Sequence, residues 1–109
     1  MDIYTKDQYF EAILQLRPEN EQVLEFVKKQ LQNSKTKISK EVREKYGIDL
    51  YLTSQRFAIA VGRKLKRRFK EGEIKISRSL HTRDKLTSKL VYRVTVLFRL
   101  KDEISSDKI

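Results

Sequence analysis

Apolar and polar positions alternate cleanly in two places along the chain. In "QYFEAILQL", Gln8 to Leu16, the residues Phe10, Ala12, Leu14 and Leu16 share one face, the period-two signature of a half-buried strand. "LVYRVTVLFRL", Leu90 to Leu100, is dense in β-branched and aromatic residues, which suit a pleated surface. Leu90, Tyr92, Val94, Val96, Phe98 and Leu100 form one of its faces, and Val91, Arg93, Thr95, Leu97 and Arg99 the other. Two further strands are predicted, "IDLYL" (Ile48 to Leu52) and "EIKISRSL" (Glu73 to Leu80), the second with Ile74, Ile76 and Leu80 turned inward.

Between these strands the period lengthens. "RPENEQ" opens a helix: Pro18 suits the first turn and Glu19 and Glu21 complement the positive end of the dipole. Val23, Leu24, Val27 and Leu31 make its apolar stripe, and Asn33 to Lys37 reads as a loop. Ile38, Val42 and Tyr46 recur every four residues, which predicts a short helix closed by Gly47 as its C-cap, or a continuation of the first helix after a break. Thr53 or Ser54 caps a long helix running to about Lys70 and ended by Gly72, with Ala58, Val61, Gly62, Leu65 and Phe69 as its buried stripe. The small residues Ala58, Ala60 and Gly62 allow that helix to lie close to a sheet.

Thr82 to Lys89 is a loop without the Asn-Gly or Asp-Gly signal of a tight hairpin. The order β-α-(α)-β-α-β-β predicts an α+β fold: a four-stranded mixed sheet with helices on one face and the last two strands as an antiparallel hairpin. The open face of such a sheet is a binding surface. We expect a single domain over 1–109, with its core at about 8–101 and a frayed tail at 102–109.

Composition narrows the class. Hydrophobic residues make up 39% and charged residues 37%, against a usual charged share of about a quarter; this is a folded, highly charged domain. Heavy use of Lys, Glu and Arg suits a hot environment. Cysteine is absent and His81 is the one histidine, so disulfides, a thiol nucleophile and a cysteine-based zinc site are excluded, and no cofactor is expected. No apolar run approaches the roughly 18 residues of a membrane span, and "MDIYTKD" is no signal peptide. The expected setting is the cytoplasm.

Net charge is +10, and its distribution says more than its sum. Met1 to Gln55 holds nine basic and nine acidic residues, whereas Arg56 to Lys101 holds fifteen basic and three acidic. Excess confined to one half of a domain is the footprint of a polyanionic partner, nucleic acid first and anionic membrane second. Within "GRKLKRRFKEG", Gly62 to Gly72, the apolar stripe inward leaves Arg56, Arg63, Arg67 and Lys70 along one flank, extended by Lys64 and Arg68. Guanidinium groups suit phosphate because they donate two parallel hydrogen bonds. Cations from Arg67 to Lys70 also favour a helix's negative end, but that reason does not reach Arg56 or Arg63. No acidic residue stands four positions earlier to pair with them. Lys75, Arg78, Arg83, Lys85 and Lys89 continue the basic set, Arg93 and Arg99 add to it, and Ser77, Ser79, Thr82, Thr87 and Ser88 supply hydroxyls that suit backbone phosphate. Tyr51 and Tyr92 read as core or rim positions in preference to stacking platforms. The pattern favours recognition of a structured RNA backbone or a ribosomal surface.

Enzyme signals are poor. GxGxxG, GxxxxGK[ST], GxSxG and HExxH are all missing, and Glu71 and Glu73 read as turn residues around Gly72. Only a convergence of His81, Asp84 and Glu71 in one cleft would revive a nuclease or RNA-modifying reading.

Three segments, "YFEAILQLR" (Tyr9 to Arg17), "GIDLYLTSQRFAIAVGRKLKRRF" (Gly47 to Phe69) and "ISRSLHTRDKLTSKLVYRVTVLFRL" (Ile76 to Leu100), together resemble the core module of the Nmd-three family. In eukaryotes that family is the nuclear-export adaptor of the large ribosomal subunit, and it has simpler archaeal homologues. The resemblance implies association with the large subunit and with ribosome biogenesis, with a ribosomal protein as a further contact and an archaeal source. Family members place paired-cysteine zinc modules before this region, so zinc binding and nuclear export are not carried over. The chain is expected to be the excised module or a minimal relative. The expected function is a non-enzymatic module binding ribosomal RNA through the Arg56–Lys70 helix and the Thr82–Lys89 loop. The alternative is a protein-interaction domain whose basic half docks an acidic partner.

Overall fold

A computed structural model describes residues 3–83 and 90–100, with side chains at 3–80 and 92–100. The elements in order are β1 (Ala12–Arg17), α1 (Glu21–Gln32), β2 (Ile38–Glu44), β3 (Gly47–Leu52), α2 (Gln55–Arg68), β4 (Glu73–Arg83) and β5 (Leu90–Arg99). The sheet has five strands in the order β2-β3-β1-β5-β4. β1 runs parallel to β5 and antiparallel to β3, and β2–β3 and β4–β5 are antiparallel pairs. The α+β class and the mixed sheet match the sequence reading; the count of four strands does not.

The extra strand is β2. Residues 38–46 form no helix: Ile38 to Glu44 pairs with Gly47 to Leu52, and Gly47 begins β3 instead of capping a helix. A repeat of four fits both the helical period and two strand periods, so Ile38 and Val42 could not decide between them. A register shift between Ile38 and Lys40 then breaks the alternation. Ile38 is also clamped by the N-terminal segment, its N–H donating to the Ile3 carbonyl at 2.6 Å and its own carbonyl accepting from the Thr5 N–H at 3.0 Å.

One face of the sheet is dry. Ala12, Leu14, Leu16, Ile48, Leu50, Leu52, Val94, Val96 and Phe98 are buried there. Val23, Val27 and Leu31 of α1 and Ala58, Val61 and Leu65 of α2 join the same core. Helix α1 begins later than Pro18: Asn20 is the N-cap, its Oδ1 accepting from the N–H groups of Gln22 and Val23, and the Arg17–Pro18 peptide is cis. Glu19 pairs with Arg43 of β2. Ser54 caps α2, its Oγ accepting from the Phe57 N–H at 3.1 Å. Glu11 reinforces that cap by accepting from the Gln55 N–H at 2.9 Å.

The β4–β5 hairpin outruns the helix that covers it. Ile74 packs on the core, but Ile76, Leu80 and Tyr92 are 38%, 55% and 44% exposed. The inward phase expected for Ile76 and Leu80 is right in register, since they pair with Val96 and Tyr92, yet neither α1 nor α2 covers them. The start of the expected Thr82–Lys89 loop is strand, because Thr82 and Arg83 pair with Val91 and Leu90; the rest of that loop, 84–89, and the 102–109 tail lie outside the described residues.

Candidate nucleic-acid interface

The basic set is organised by α2. Ala58, Val61, Gly62 and Leu65 are buried, so the helical repeat turns Arg56, Arg63 and Arg67 to solvent on the opposite side, where all three are exposed. Among the described residues, the ion pairs are Arg17–Asp49 and those of Arg43 with Glu19 and Glu41; none involves the α2 flank. Arg56 stands in the first turn, where the positive end of the dipole disfavours a cation, and no acidic residue of the helix shares that turn. Arg56 and Arg63 therefore carry an electrostatic cost that no carboxylate among the described residues offsets, whereas Arg67 gains from the helix's negative end.

The other cations of α2 are committed in part. Lys66 Nζ donates to the carbonyls of Lys70 and Gly72 at 3.2 and 2.7 Å, and so takes the helix-end role. Lys64 Nζ donates to Gln30 Oε1 of α1 at 3.2 Å. The Arg68 guanidinium sits 5.3 Å from the centroid of the Phe69 ring, in a groove between the helices that Phe26, Lys28 and Lys29 also line. Lys70 is exposed just past the helix. The groove lysines read in the sequence as last-turn cations of the first helix and stayed out of the basic set, because that helix belongs to the charge-neutral half.

The strand cations divide between two faces. Lys75 pairs with Leu97 and projects on the face away from the helices, while Arg78 pairs with Val94 and projects on the helix side. Ser77 and Ser79 share the open face with Lys75. The backbone of Arg83 closes the hairpin against Leu90, and its side chain lies outside the described residues, as do Lys85 and Lys89. Asp84 and the His81 side chain lie outside them too, and Glu71 is exposed beyond α2. Among the described residues no three His, Cys, Asp or Glu groups gather as a metal site, and no helix is long and apolar enough to cross a membrane.

On the open face, Arg17 Nη2 lies 2.7 Å from Asp49 Oδ1, and its Nη1 donates to the Leu16 and Ile48 carbonyls at 3.1 and 3.3 Å. Nearby, the Arg93 guanidinium stacks 3.8 Å from the Phe10 ring centroid while its Nε donates to the Phe10 carbonyl at 3.2 Å. Phe10 meets Tyr51 edge to face at 4.8 Å, and Lys40 Nζ lies 5.3 Å from the Tyr51 ring centroid. The sequence pattern puts Phe10 on the core face with Ala12, Leu14 and Leu16; it instead precedes β1, leaves that face, and meets Arg93 and Tyr51 of the open face. Tyr9 donates its hydroxyl proton to Glu11 Oε2 at 2.5 Å. That bond, then burial and the Glu11 charge, push the Tyr9 phenol up to about 12, against the lowering effect of Arg93.

No curated protein matches the chain. The family model described as "NMD3, second domain" matches residues 9–100, which spans every strand and helix of the fold. The chain belongs to the NMD3 family.

Proposed function

We propose that this domain is a non-enzymatic RNA-binding module of ribosome biogenesis that engages ribosomal RNA of the large subunit through the outer flank of α2. The observation that carries the reading is the row Arg56, Arg63 and Arg67: exposed, and without a carboxylate partner among the described residues. Surface arginines arranged without partners repel one another, and phosphate neutralises them with bidentate hydrogen bonds. Lys64 and Arg68 broaden the strip toward α1, and Lys70 lengthens it. Arg78 adds a cation on the same side of the sheet, whereas Lys75 serves the opposite face. Arg83, Lys85 and Lys89 extend the reading toward the hairpin end. Membership in the NMD3 family supports the large subunit as the partner, with a ribosomal protein as a neighbouring contact. The cytoplasm and an archaeal source accord with this reading.

The flank has the stiffness that shape recognition needs. α2 is held from beneath by its buried stripe and at its start by Ser54 and Glu11, so the backbone positions of the arginines keep a fixed spacing from which the side chains reach a phosphate backbone. Co-sedimentation with purified large subunits across a salt series tests the assignment. Binding should fall steeply with added salt, because each phosphate contact releases counterions. Binding that survives removal of the RNA and tracks one acidic ribosomal protein would replace it with the protein-docking reading.

A further inference from the structure

The open side of the sheet holds a second basic feature that the α2 flank does not use. The N-terminal segment, tied alongside the start of β2 through Ile3, Thr5 and Ile38, borders with β2 and β3 a pocket of about 500 Å³ that is open on one side to solvent. That volume falls within the roughly 300–1,000 Å³ of small-molecule sites. Its walls include Lys6, Lys40, Thr5, Ser39, Phe10 and Tyr51, and no carboxylate among the described residues lines it.

The neighbouring carboxylates are engaged elsewhere. Glu41 accepts from the Tyr4 hydroxyl at 2.9 Å, Asp7 from the Tyr9 N–H at 3.2 Å, and Glu11 from the Tyr9 hydroxyl and the Gln55 N–H. Lys6 and Lys40 thus face the cavity with no ion-pair partner among the described residues. The aromatic wall is braced from behind: Arg93 stacks on Phe10 and bonds to its carbonyl, and Phe10 abuts Tyr51. Among the described residues Lys40 has the distant contact with the Tyr51 ring, and such an exposed contact is worth little. A braced aromatic wall beside two exposed ammonium groups suits a ligand with one flat, apolar part and one anionic part.

We propose that this cavity binds a nucleoside monophosphate unit, with Phe10 and Tyr51 taking the base and Lys6 and Lys40 the phosphate. Thr5 and Ser39 lie within the same walls as hydroxyl partners for the sugar or phosphate. The unit is either a free nucleotide or one unpaired residue of an RNA strand. The site stands on the face opposite α2 and does not depend on the helix reading.

The test is a titration of the full chain with AMP, adenosine and inorganic phosphate, followed by calorimetry and by NMR shifts of the Tyr51 ring and lysine ammonium signals. AMP should bind with shifts centred on Tyr51 and Lys40, and more tightly than either fragment. Tyr51→Leu should weaken AMP binding at least about fivefold, the low end of the loss of one stacked base. Because Tyr51 is half-buried, the exposed pair Lys6→Ala/Lys40→Ala provides a second reading without risk to the core, and it too should weaken AMP. Arg63→Glu/Arg67→Glu should leave AMP binding unchanged, which separates this site from the helix flank. A single-stranded oligonucleotide that outcompetes AMP assigns the site to RNA, and the reverse order assigns it to free nucleotide. Inorganic phosphate binding as tightly as AMP, or AMP binding untouched in both cavity variants, would overturn the proposal.

Discussion

Gly62 of α2 lies so close to Val96 of β5 that a Cβ on the glycine would come within 2.7 Å of Val96 Cγ1, and within 2.9 Å of Ile74 Cδ1. This close approach seats the helix on the sheet and fixes which side of it faces water. Gly62→Ala adds a methyl where there is no room. Overpacking costs about 1–3 kcal/mol, and the gain in helix propensity returns about 1 kcal/mol. Urea unfolding should show a net loss of about 1 kcal/mol, with Gly62→Leu far worse. An alanine variant more stable than the parent would contradict this packing.

The Arg17–Asp49 pair is mostly buried, its side chains 19% and 9% exposed. Removing one partner strands the other charge, so Arg17→Ala should destabilise by about 3 kcal/mol. Replacing both residues with apolar side chains of similar volume should recover most of the loss. Thermal unfolding of the single and double variants decides the point, and a double variant as weak as the single would refute it.

Leu80 and Leu14 occupy the same side of the sheet but differ in cover. Leu14 is fully buried and Leu80 is 55% exposed. Leu80→Ser should change stability by less than about 0.5 kcal/mol, while Leu14→Ala should cost about 2–5 kcal/mol. Comparable losses at both sites would mean that the hairpin is covered in solution.

Tyr9 should ionise at about 12, above its ordinary value of 10.0. A phenol whose folded pKa is raised binds its proton more tightly in the folded state. Its stabilising contribution is therefore complete below pH 10 and is lost as pH rises from 10 toward 12. Ultraviolet difference titration should show one late tyrosine that disappears in Tyr9→Phe, and Glu11→Gln should move it to lower pH. An unchanged late component in Tyr9→Phe would assign it to another residue.

Legibility in the sequence followed the reach of local periodicity. The Ser54 cap, the Ala58–Leu65 stripe and the Val94–Phe98 face all follow from patterns within one element. The α2 flank could be read for the same reason, because helical geometry alone sets Arg56, Arg63 and Arg67 side by side. The Ile38 strand was lost because its spacing satisfies two periods, and its identity is settled by pairing with β3. Exposure of Leu80 depends on where α2 begins, which no pattern in β4 encodes. The role of Lys66 depends on the path of the chain after Phe69, which places two carbonyls within its reach. The Phe10–Arg93 contact needs β1 and β5 to lie side by side, a tertiary fact.

The central claim is that the α2 flank grips RNA, and it is tested most directly by binding of the full chain to purified large-subunit ribosomal RNA. The parent and Arg63→Glu/Arg67→Glu should be compared across a salt series, with circular dichroism to establish that both are folded. Each lost phosphate contact should lower the salt slope by about 1 and cost about 1–3 kcal/mol. The double reversal should therefore bind at least about tenfold more weakly, with a slope shallower by about 2. A folded double variant with the parent's affinity and salt slope would contradict the claim.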